Sequence, residues 1–405
     1  MRIFHTSDWH LGQSFFGYDR TKEHILYLQW LIRFVKEQKV DILLVTGDVF
    51  DSSNPSAESQ SIYYSFLHKI TQQNKDLQII IIAGNHDSAA RLEAPNALLR
   101  EMNVFVRGSV KKDENNDIKL DDLIIPIKIN DNIEAVCLAV PYIRLGDYPP
   151  SNSYSEGVEK LFDLLYNKAL SYNKPIIAMG HLYANQASLS DDDRSERILI
   201  GGVDSVGFNT FNKGIAYTAL GHLHRPQKVF NRDNIRYAGS PIHMSFAEKT
   251  YDHGGVLVEI LNSNKVNINP IKYTPTVDMI SIVAKTVDEA IEKIKAIPNF
   301  REINKDFLPF LEVKIHISEP EPLLAKKIKD ELEKKDVRLT KIESILPKKK
   351  NDINNNKILT LDSFNSISPM KIALDVYNKQ YNTVMPSEMK KLLESVINEI
   401  TLDNI

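Results

Sequence analysis

The chain alternates between continuous apolar runs and segments in which apolar residues recur at helical spacing. Val40 to Val45 and Leu77 to Ala83 are uninterrupted apolar runs, typical of strands buried on both faces. Tyr18 to Lys39 and Ser56 to Gln73 place apolar residues three and four positions apart, as amphipathic helices do. Together with a short strand at Arg2 to Thr6, this order predicts an α/β fold.

The pattern changes after a further predicted helix at about Arg91 to Met102. Leu123 to Ile129 and Glu134 to Val140 read as strands with little chain between them, so the sheet becomes mixed or gains a second layer. The remaining predicted elements of this region are a helix at Gly157 to Tyr172, strands at Pro175 to Met179 and Ile215 to Leu220, and successive antiparallel strands at Lys228 to Asn231, Ile235 to Ala238, Gly255 to Ile260 and Val266 to Tyr273.

The C-terminal third predicts a separate organisation. Thr274-Pro275-Thr276 marks a boundary, after which Val277 to Ile345 reads strand, helix, strand, helix, strand. Pro347 to Lys357 is polar and reads as a linker, and two short helices follow, the first opened by Ser368-Pro369. The expected domains are a main α/β domain at 1–275, a small α/β capping domain at 276–346, a linker at 347–366 and a helical segment at 367–405.

Composition narrows the class of protein. The 405 residues carry a net charge of −3 and are 42% hydrophobic, so the chain can form a sizeable core but is not a broadly basic nucleic-acid coat. Its single cysteine, Cys137, allows no internal disulfide framework. Because neither a signal peptide nor a long apolar span is recognisable, we expect a cytoplasmic protein without a membrane partner.

Polar residues that can bind metal follow five of the predicted strands. They are Asp8 and His10, then Asp48 and Asp51, then Asn85, His86 and Asp87, then His181, and finally His222 and His224. Asp8 and His10 are expected on alternate positions of an extended backbone, with both side chains on one side. The last four groups each follow a glycine, which lets the backbone turn sharply. The carboxyl ends of strands in such a sheet gather the chemistry.

This mixture of imidazole, carboxylate and amide donors suits Mn²⁺, Fe²⁺ or Zn²⁺ better than Mg²⁺ or Ca²⁺. The ligands are numerous enough for two ions, and a pair about 3.5–4 Å apart can stabilise the attacking and leaving oxygens of a phosphoryl transfer. Taken alone, His181 could be a hydrogen-bonded core histidine and Asp48 a helix cap. The five strand ends together favour a two-metal centre.

The strand-end pattern resembles the calcineurin-like metallophosphoesterases over about 1–273. Within that superfamily, His5-Thr6-Ser7-Asp8-Trp9-His10-Leu11-Gly12-Gln13, followed by Arg20, Glu23 and His24, is similar to the bacterial SbcD family of nuclease subunits. The resemblance implies a sandwich of two mixed sheets flanked by helices, with the small capping domain and the C-terminal helices appended. The N-terminal motif is the specific part of the resemblance, and the C-terminal part matches the family in layout only.

The resemblance also implies roles for individual residues. One metal would be held by Asp8, His10, Asp48 and His224, and the second by Asp48, Asn85, His181 and His222. The ions would be Mn²⁺, and a hydroxide between them would attack a DNA phosphodiester. His86 would protonate or stabilise the leaving oxygen, and Asp51 would orient its ring. Asp51 could instead be a turn-forming residue.

The partners follow from the same resemblance. They are DNA ends and hairpins, a second copy of the nuclease subunit, and an SbcC-type coiled-coil ATPase that binds ATP and grips the C-terminal helices. The implied activity is 3′→5′ exonuclease and hairpin or single-strand endonuclease action in DNA repair, recombination and replication. Arg20, Ser88 and Arg91 are candidate DNA contacts, although Arg20 could instead pack beneath the site. The alternatives are a phosphatase or cyclic-nucleotide phosphodiesterase of the same fold, and a non-catalytic scaffold, which would be expected to lack some ligands or His86.

Overall fold

The structure is a computed structural model that describes residues 1–185, 187, 205–262, 265–300, 304–316 and 323–345, with single positions or short stretches between 370 and 393. Two compact units are distinguished, Met1–Leu346 and Pro347–Ile405. The predicted linker at 347–366, the Asp191 to Asp193 loop and the Ser368-Pro369 helix start lie outside the described residues. In the second unit, Met370, Leu374 and Tyr377 are helical, as are Ser387, Met389, Lys390 and Leu393.

The strands of the first unit form two six-stranded sheets and three smaller ones. The strands are β1 (Arg2–Thr6), β2 (Ser14–Phe15), β3 (Tyr18–Asp19), β4 (Ile42–Thr46), β5 (Gln78–Ile82), β6 (Val104–Arg107), β7 (Ile124–Ile129), β8 (Asn132–Ala139), β9 (Ile176–His181), β10 (Tyr183–Ala184), β11 (Ser205–Val206), β12 (Ile215–Gly221), β13 (Gln227–Val229), β14 (Arg232–Tyr237), β15 (Gly254–Asn262), β16 (Lys265–Lys272), β17 (Met279–Ala284), β18 (Phe310–His316) and β19 (Arg338–Ile345).

Helices cover the outer faces of these sheets. They are α1 (Thr21–Glu37), α2 (Ala57–Gln73), α3 (Ala89–Glu93), α4 (Asn96–Glu101), α5 (Leu120–Leu123), α6 (Tyr154–Ala169), α7 (Val287–Lys295) and α8 (Leu324–Leu332). Among the helices of the described part, none combines the length and the apolar character needed to cross a bilayer.

The two large sheets pack face to face. The first has the order β16-β15-β1-β4-β5-β6 and the second β13-β14-β12-β9-β8-β7, and both mix parallel and antiparallel pairs. Isoleucine and leucine side chains of β1, β4 and β5 meet isoleucines of β7 and β9, together with Tyr217 and Ala219 of β12, in one buried cluster that also contains Cys137. α1 and α2 cover the outside of the first sheet, and α6 covers the second. The predicted fold, a sandwich of mixed sheets flanked by helices, is confirmed.

Two local predictions were wrong. The single helix expected at Arg91 to Met102 is two short helices, α3 and α4, because Pro95 between them has no N–H to continue the hydrogen-bond ladder. The predicted run of antiparallel strands after β12 holds for the pairs β13–β14 and β15–β16 and is wrong only between β14 and β15, which lie in different sheets. β14 pairs parallel with β12, whereas β15 crosses to the first sheet and pairs with β1.

The small α/β module follows the predicted order. β17, β18 and β19 form a parallel sheet, and α7 and α8 pack on it through a cluster that includes Ile294 and Ile328. The β2–β3 hairpin contacts this module: Phe15 packs against Phe310, and the Tyr18 hydroxyl donates to the Leu339 carbonyl at 3.0 Å. The hairpin begins only four residues after His10, so the module lies against the chain that leaves the candidate site.

Candidate metal centre

The loops that follow β1 and β4 run side by side. The Asp8 amide donates to the Gly47 carbonyl at 3.1 Å, and the His10 amide donates to the Asp48 carbonyl at 3.0 Å. Strand β1 ends at Thr6, and Asp8 and His10 both have left-handed backbones, with φ of 52° and 48°. The extended backbone expected for this pair was therefore wrong, but the paired loops still turn both side chains to one place.

The strands of the second sheet bring their end residues to the same place. His181 is the last residue of β9 and is fully buried, and its Nδ1 lies 2.8 Å from the Thr46 carbonyl at the end of β4. The His222 amide, just beyond β12, donates to Asp8 Oδ1 at 3.0 Å. These two hydrogen bonds join the sheets at their carboxyl ends, where parallel strands collect functional groups.

One group of possible ligands consists of Asp8, His10 and His224, whose ligand atoms all lie within 4.8 Å of one another. The Nε2 atoms of the two histidines are 3.2 Å apart. Behind the group, His224 Nδ1 lies 3.1 Å from Oε1 of Glu248.

A second group consists of Asp48, His181 and His222. Asn85 joins it, because its Oδ1 lies 2.9 Å from His181 Nε2 and 3.0 Å from His222 Nδ1. Asp48 lies between the two groups, with Oδ2 at 3.3 Å from His181 Nε2 and 3.8 Å from His10 Nε2. All seven ligands expected from the sequence are therefore brought together as two groups that share Asp48.

The polar atoms of the second group that face one another are acceptors, and a cation between them would satisfy them. A carbonyl can only accept, so we assign the Nδ1 proton of His181 to the bond with Thr46. The other nitrogen, Nε2, then faces the Asn85 amide oxygen and the Asp48 carboxylate, which are also acceptors. Three acceptors converging on one point can be satisfied by a shared cation.

The pKa values of the second group also indicate that it attracts positive charge. Burial would raise the pKa of Asp48, but the charge of His181 and its hydrogen bond outweigh burial and hold this pKa well below its usual range. Burial lowers the pKa of His181, but the Asp48 carboxylate outweighs it and raises this pKa to about 9. Burial, with the charge of His181, lowers the pKa of His222 to about 3. The centre thus draws one positive charge to the space between Asp48 and Asn85.

His86 and Asp51 lie beside both groups, but they meet differently from the prediction. His86 Nδ1 is 2.8 Å from the main-chain carbonyl of Asp51, and its amide donates to Asp48 Oδ1 at 2.9 Å. The Asp51 carboxylate lies instead 3.3 Å from His10 Nδ1. The carboxylate is drawn to His10 because the carbonyl of its own residue already occupies the near side of the His86 ring. The orienting contact to His86 is therefore made by the backbone.

The centre opens to solvent on one side. Asn85, His86 and His222 are half-buried, whereas Asp8 and His181 are fully buried. A substrate phosphate can reach the ligands from the side of the three half-buried residues.

The three candidate DNA contacts occupy different environments. Arg20 is buried and its guanidinium binds Glu23 at 2.7 Å, the Gln13 side chain at 2.8 Å and the His243 carbonyl, which favours packing beneath the site over contact with DNA. Its donors are used inside the protein. Ser88 precedes the short helix α3 and is half-buried, and Arg91 is exposed on the same helix.

Sequence reasoning missed two buried carboxylates at the centre. Asp87, named only as a strand-end residue, accepts the amides of Val49, Phe50 and Gly84 at 2.9–3.1 Å, and so fixes the β4 and β5 loops together. Glu248, in the short turn Phe246–Thr250, was not singled out at all. Only contacts across the fold identify it.

A family model described as calcineurin-like phosphoesterase matches residues 1–226. This span is more than half of the chain and contains every candidate ligand described above. The chain belongs to this family. Divalent metal binding, expected from the strand-end residues, agrees with the family and with the two ligand groups.

Curated relatives support the narrower resemblance. The chain is 40% identical over 272 residues to SbcD, a component of the SbcCD nuclease, of Rhodobacter capsulatus, an alignment that covers 64% of this chain and 66% of the relative. The SbcD proteins of Escherichia coli K12 and Bacillus subtilis 168 are 34% and 32% identical, over 61% and 64% of this chain and 62% and 66% of their own lengths. The chain thus matches slightly less than two thirds of each.

Proposed function

We propose that this chain is the nuclease subunit of an SbcCD-type complex and hydrolyses DNA phosphodiesters with two divalent ions, most favourably Mn²⁺. The observation that carries the proposal is the pair of ligand groups joined by Asp48, with His86 directly beside them. The relatives are nuclease components, and this supports the choice of substrate class. Histidine-rich ligand sets favour Mn²⁺ over Mg²⁺, which prefers oxygen donors and water.

Each group would hold one ion. Asp8, His10 and His224 would bind the first ion, and Asn85, His181 and His222 the second, with Asp48 between them. When bound, the pair would supply hydroxide near neutral pH and offset the charge of the phosphate. The fold sets this arrangement in advance, since the ligand loops are hydrogen-bonded to one another.

His86 would act on the leaving oxygen. Its Nδ1–H is assigned to the bond with the Asp51 carbonyl, which turns the ring edge carrying Nε2 away from that contact. A protonated Nε2 would donate to the 3′-oxygen as the phosphodiester breaks. Because His86 is half-buried on the open side of the centre, it can meet a phosphate that enters there.

The remaining features of the proposal concern assembly. The helical segment at 367–405 would bind the coiled coil of an SbcC-type ATPase, which binds ATP, and two nuclease subunits would pair within a heterotetramer. The apolar residues Met370, Leu374 and Tyr377 recur at helical spacing in that segment, which suits docking on a partner helix. Exposed Arg91, with Ser88 beside it, would contact the DNA backbone, and the complex would work in the cytoplasm.

The decisive experiment is cleavage of an end-labelled DNA hairpin and a blunt duplex with Mn²⁺. Wild type, His86→Ala and His68→Ala would be assayed alone and with the ATPase partner plus ATP. His68 is an exposed histidine on α2 and serves as the matched control. We expect His86→Ala to lose about 10²- to 10⁴-fold in rate while keeping its metal content, and His68→Ala to match wild type.

Two results would contradict the proposal. Wild type that leaves DNA intact with partner and ATP, yet hydrolyses phosphomonoesters or cyclic nucleotides, would be a small-molecule phosphoesterase. Full DNA cleavage by His86→Ala would remove the leaving-group role and leave only the metal centre.

A further inference from the structure

Glu248 is a fully buried carboxylate at the back of the first ligand group. Its Oε1 lies 3.1 Å from His224 Nδ1 and 3.3 Å from the Ser245 hydroxyl. Its Oε2 accepts the Met244 amide at 2.8 Å and faces the Ser240 hydroxyl at 3.3 Å. These four contacts fix both carboxylate oxygens.

The backbone of Glu248 is held as well. Its carbonyl lies 3.2 Å from His243 Nδ1 and 3.2 Å from His253 Nε2. The two imidazole rings pack edge to face, with centroids 4.4 Å apart. With its main chain and its side chain both held, Glu248 has little freedom to follow a movement of His224. A carboxylate held in this way restrains the His224 ring that it contacts.

A carboxylate without a proton can only accept, so His224 Nδ1 must be the donor in this contact. The lone pair of His224 is then on Nε2, the atom that faces His10 Nε2 at 3.2 Å. A carboxylate behind a ligating histidine fixes the tautomer, fixes the ring and makes the imidazole a stronger donor.

The two ligand groups differ in the charge of the groups that lie behind their histidines. In the first group, His224 is backed by Glu248, and His10 has the half-exposed Asp51 carboxylate 3.3 Å from its Nδ1. In the second group, the Nδ1 of His181 meets the neutral main-chain carbonyl of Thr46. The first group therefore carries negative charge behind its histidines, and the second group has a neutral dipole behind His181.

We propose that Glu248 is a positioning residue that presents His224 Nε2 to the first metal ion and makes that site the tighter of the two. The inference rests on the two-metal centre of the proposed function, but it requires neither DNA nor the ATPase. It concerns affinity and ring geometry, which can be measured without turnover.

The test is calorimetric titration of the metal-stripped chain with Mn²⁺. Wild type would be compared with Glu248→Gln, which keeps the shape and removes the charge. Glu312→Gln is the matched control, since Glu312 is a buried carboxylate of the small module that meets Lys314 and Lys341 instead of a histidine.

We expect two sites in wild type and in Glu312→Gln. In Glu248→Gln, the tighter site should weaken by about 10- to 100-fold, while the other site stays unchanged. Glu248→Gln with two wild-type affinities, or with both affinities reduced equally, would overturn the inference. Fewer than two sites in wild type would instead refute the two-metal centre itself.

A second measurement needs no substitution at Glu248. In wild type labelled with ¹⁵N-histidine and loaded with diamagnetic Zn²⁺, the His224 ring should carry its proton on Nδ1, with Nε2 bound to metal. The signal would be assigned by its disappearance in His224→Asn. A His224 ring with the proton on Nε2 would overturn the inference even if the Gln variant failed to fold.

Discussion

Gly221 allows the two sheets to approach closely at the metal centre, so its replacement by alanine is a sharp test of the geometry. A Cβ at this position would lie 1.9 Å from the Thr46 carbonyl oxygen, 2.2 Å from Ser7 Oγ and 2.9 Å from His181 Nδ1. The backbone of Gly221 is in an ordinary region, so the effect of the substitution is steric. The methyl group must displace its neighbours.

The size of the effect follows from those distances. Nonbonded carbon contacts are comfortable at about 3.5 Å, so the Thr46 carbonyl must retreat by roughly 1.5 Å. That carbonyl holds His181 Nδ1 at 2.8 Å and the Ser7 hydroxyl at 3.0 Å. A misplacement of about 1 Å in a catalytic group costs about 100-fold in rate, and overpacking a core costs about 1–3 kcal/mol. We expect both losses in Gly221→Ala.

The assay should separate the site from the fold. Hydrolysis of a chromogenic phosphodiester with Mn²⁺, Mn²⁺ affinity and urea unfolding would be measured for wild type and for both alanine variants. The control is Gly207→Ala, where the nearest atom to an added Cβ is Ser155 Oγ at 4.0 Å. The control should keep wild-type activity and change the free energy of unfolding by less than about 1 kcal/mol.

The second ligand group should be affected more than the first, because His181 belongs to it. Gly221→Ala should therefore weaken one Mn²⁺ site and spare the other. If Gly221→Ala kept two wild-type affinities and wild-type turnover, the close approach of β12 to β4 would not position His181. The reasoning about the second site would then fail.

Three further predictions follow from buried charges. Arg20→Leu leaves the Glu23 carboxylate buried without its cation, so it should lower the free energy of unfolding by about 3–5 kcal/mol in urea denaturation. The double variant with Glu23→Leu should recover most of that loss. Binding of the second metal should release the proton of His181, whose pKa is raised to about 9. The Mn²⁺ affinity of that site should therefore rise by up to tenfold per pH unit from pH 7 to 9. Calorimetry in buffers of different ionisation enthalpy should detect about one released proton. Burial lowers the pKa of His5 and of His24 to about 3, below the unfolded value of 6.5, so the unfolded chain binds more protons between these pH values. The free energy of unfolding of the metal-free protein should therefore fall as pH drops from 6.5, by about 1.4 kcal/mol per pH unit for each ring. His24→Leu should remove one of these two contributions. A slope that is unchanged in His24→Leu would contradict this assignment.

The sequence predicted which residues would lie together, because parallel strands leave their carboxyl ends at one edge of the sheet. Apolar runs followed by Gly-Asp, Gly-Asn-His and Gly-His identify residues that any such fold brings together, whatever the details of the loops. Asp8 and His10 show the limit of the method. They converge as expected, but through left-handed backbone and loop-to-loop hydrogen bonds, which the spacing of the two residues does not reveal.

The groups behind the ligands could not be predicted in the same way. Glu248 meets His224 through a turn that is set by three-dimensional packing, and nothing in the local pattern distinguishes it from an exposed glutamate. The partner of His181 is a main-chain carbonyl, which every residue has. The Asp51 contact was predicted with the right residue and the wrong atom, since only the fold decides which ring each of its oxygens meets.

The candidate ligands share an unusual backbone conformation. Asp8, His10, Asp48 and His222 all have positive φ, between 47° and 100°, which costs about 1–3 kcal/mol at each non-glycine residue. Asp and His are among the residue types that most often adopt this region, so the candidate ligands are also residues that accept the turn. The amides of Asp8, His10 and His222 are tied to neighbouring loops, and these bonds offset the strain. The fold thus orients these side chains through its own hydrogen bonds, and an ion that binds them would not have to supply that ordering.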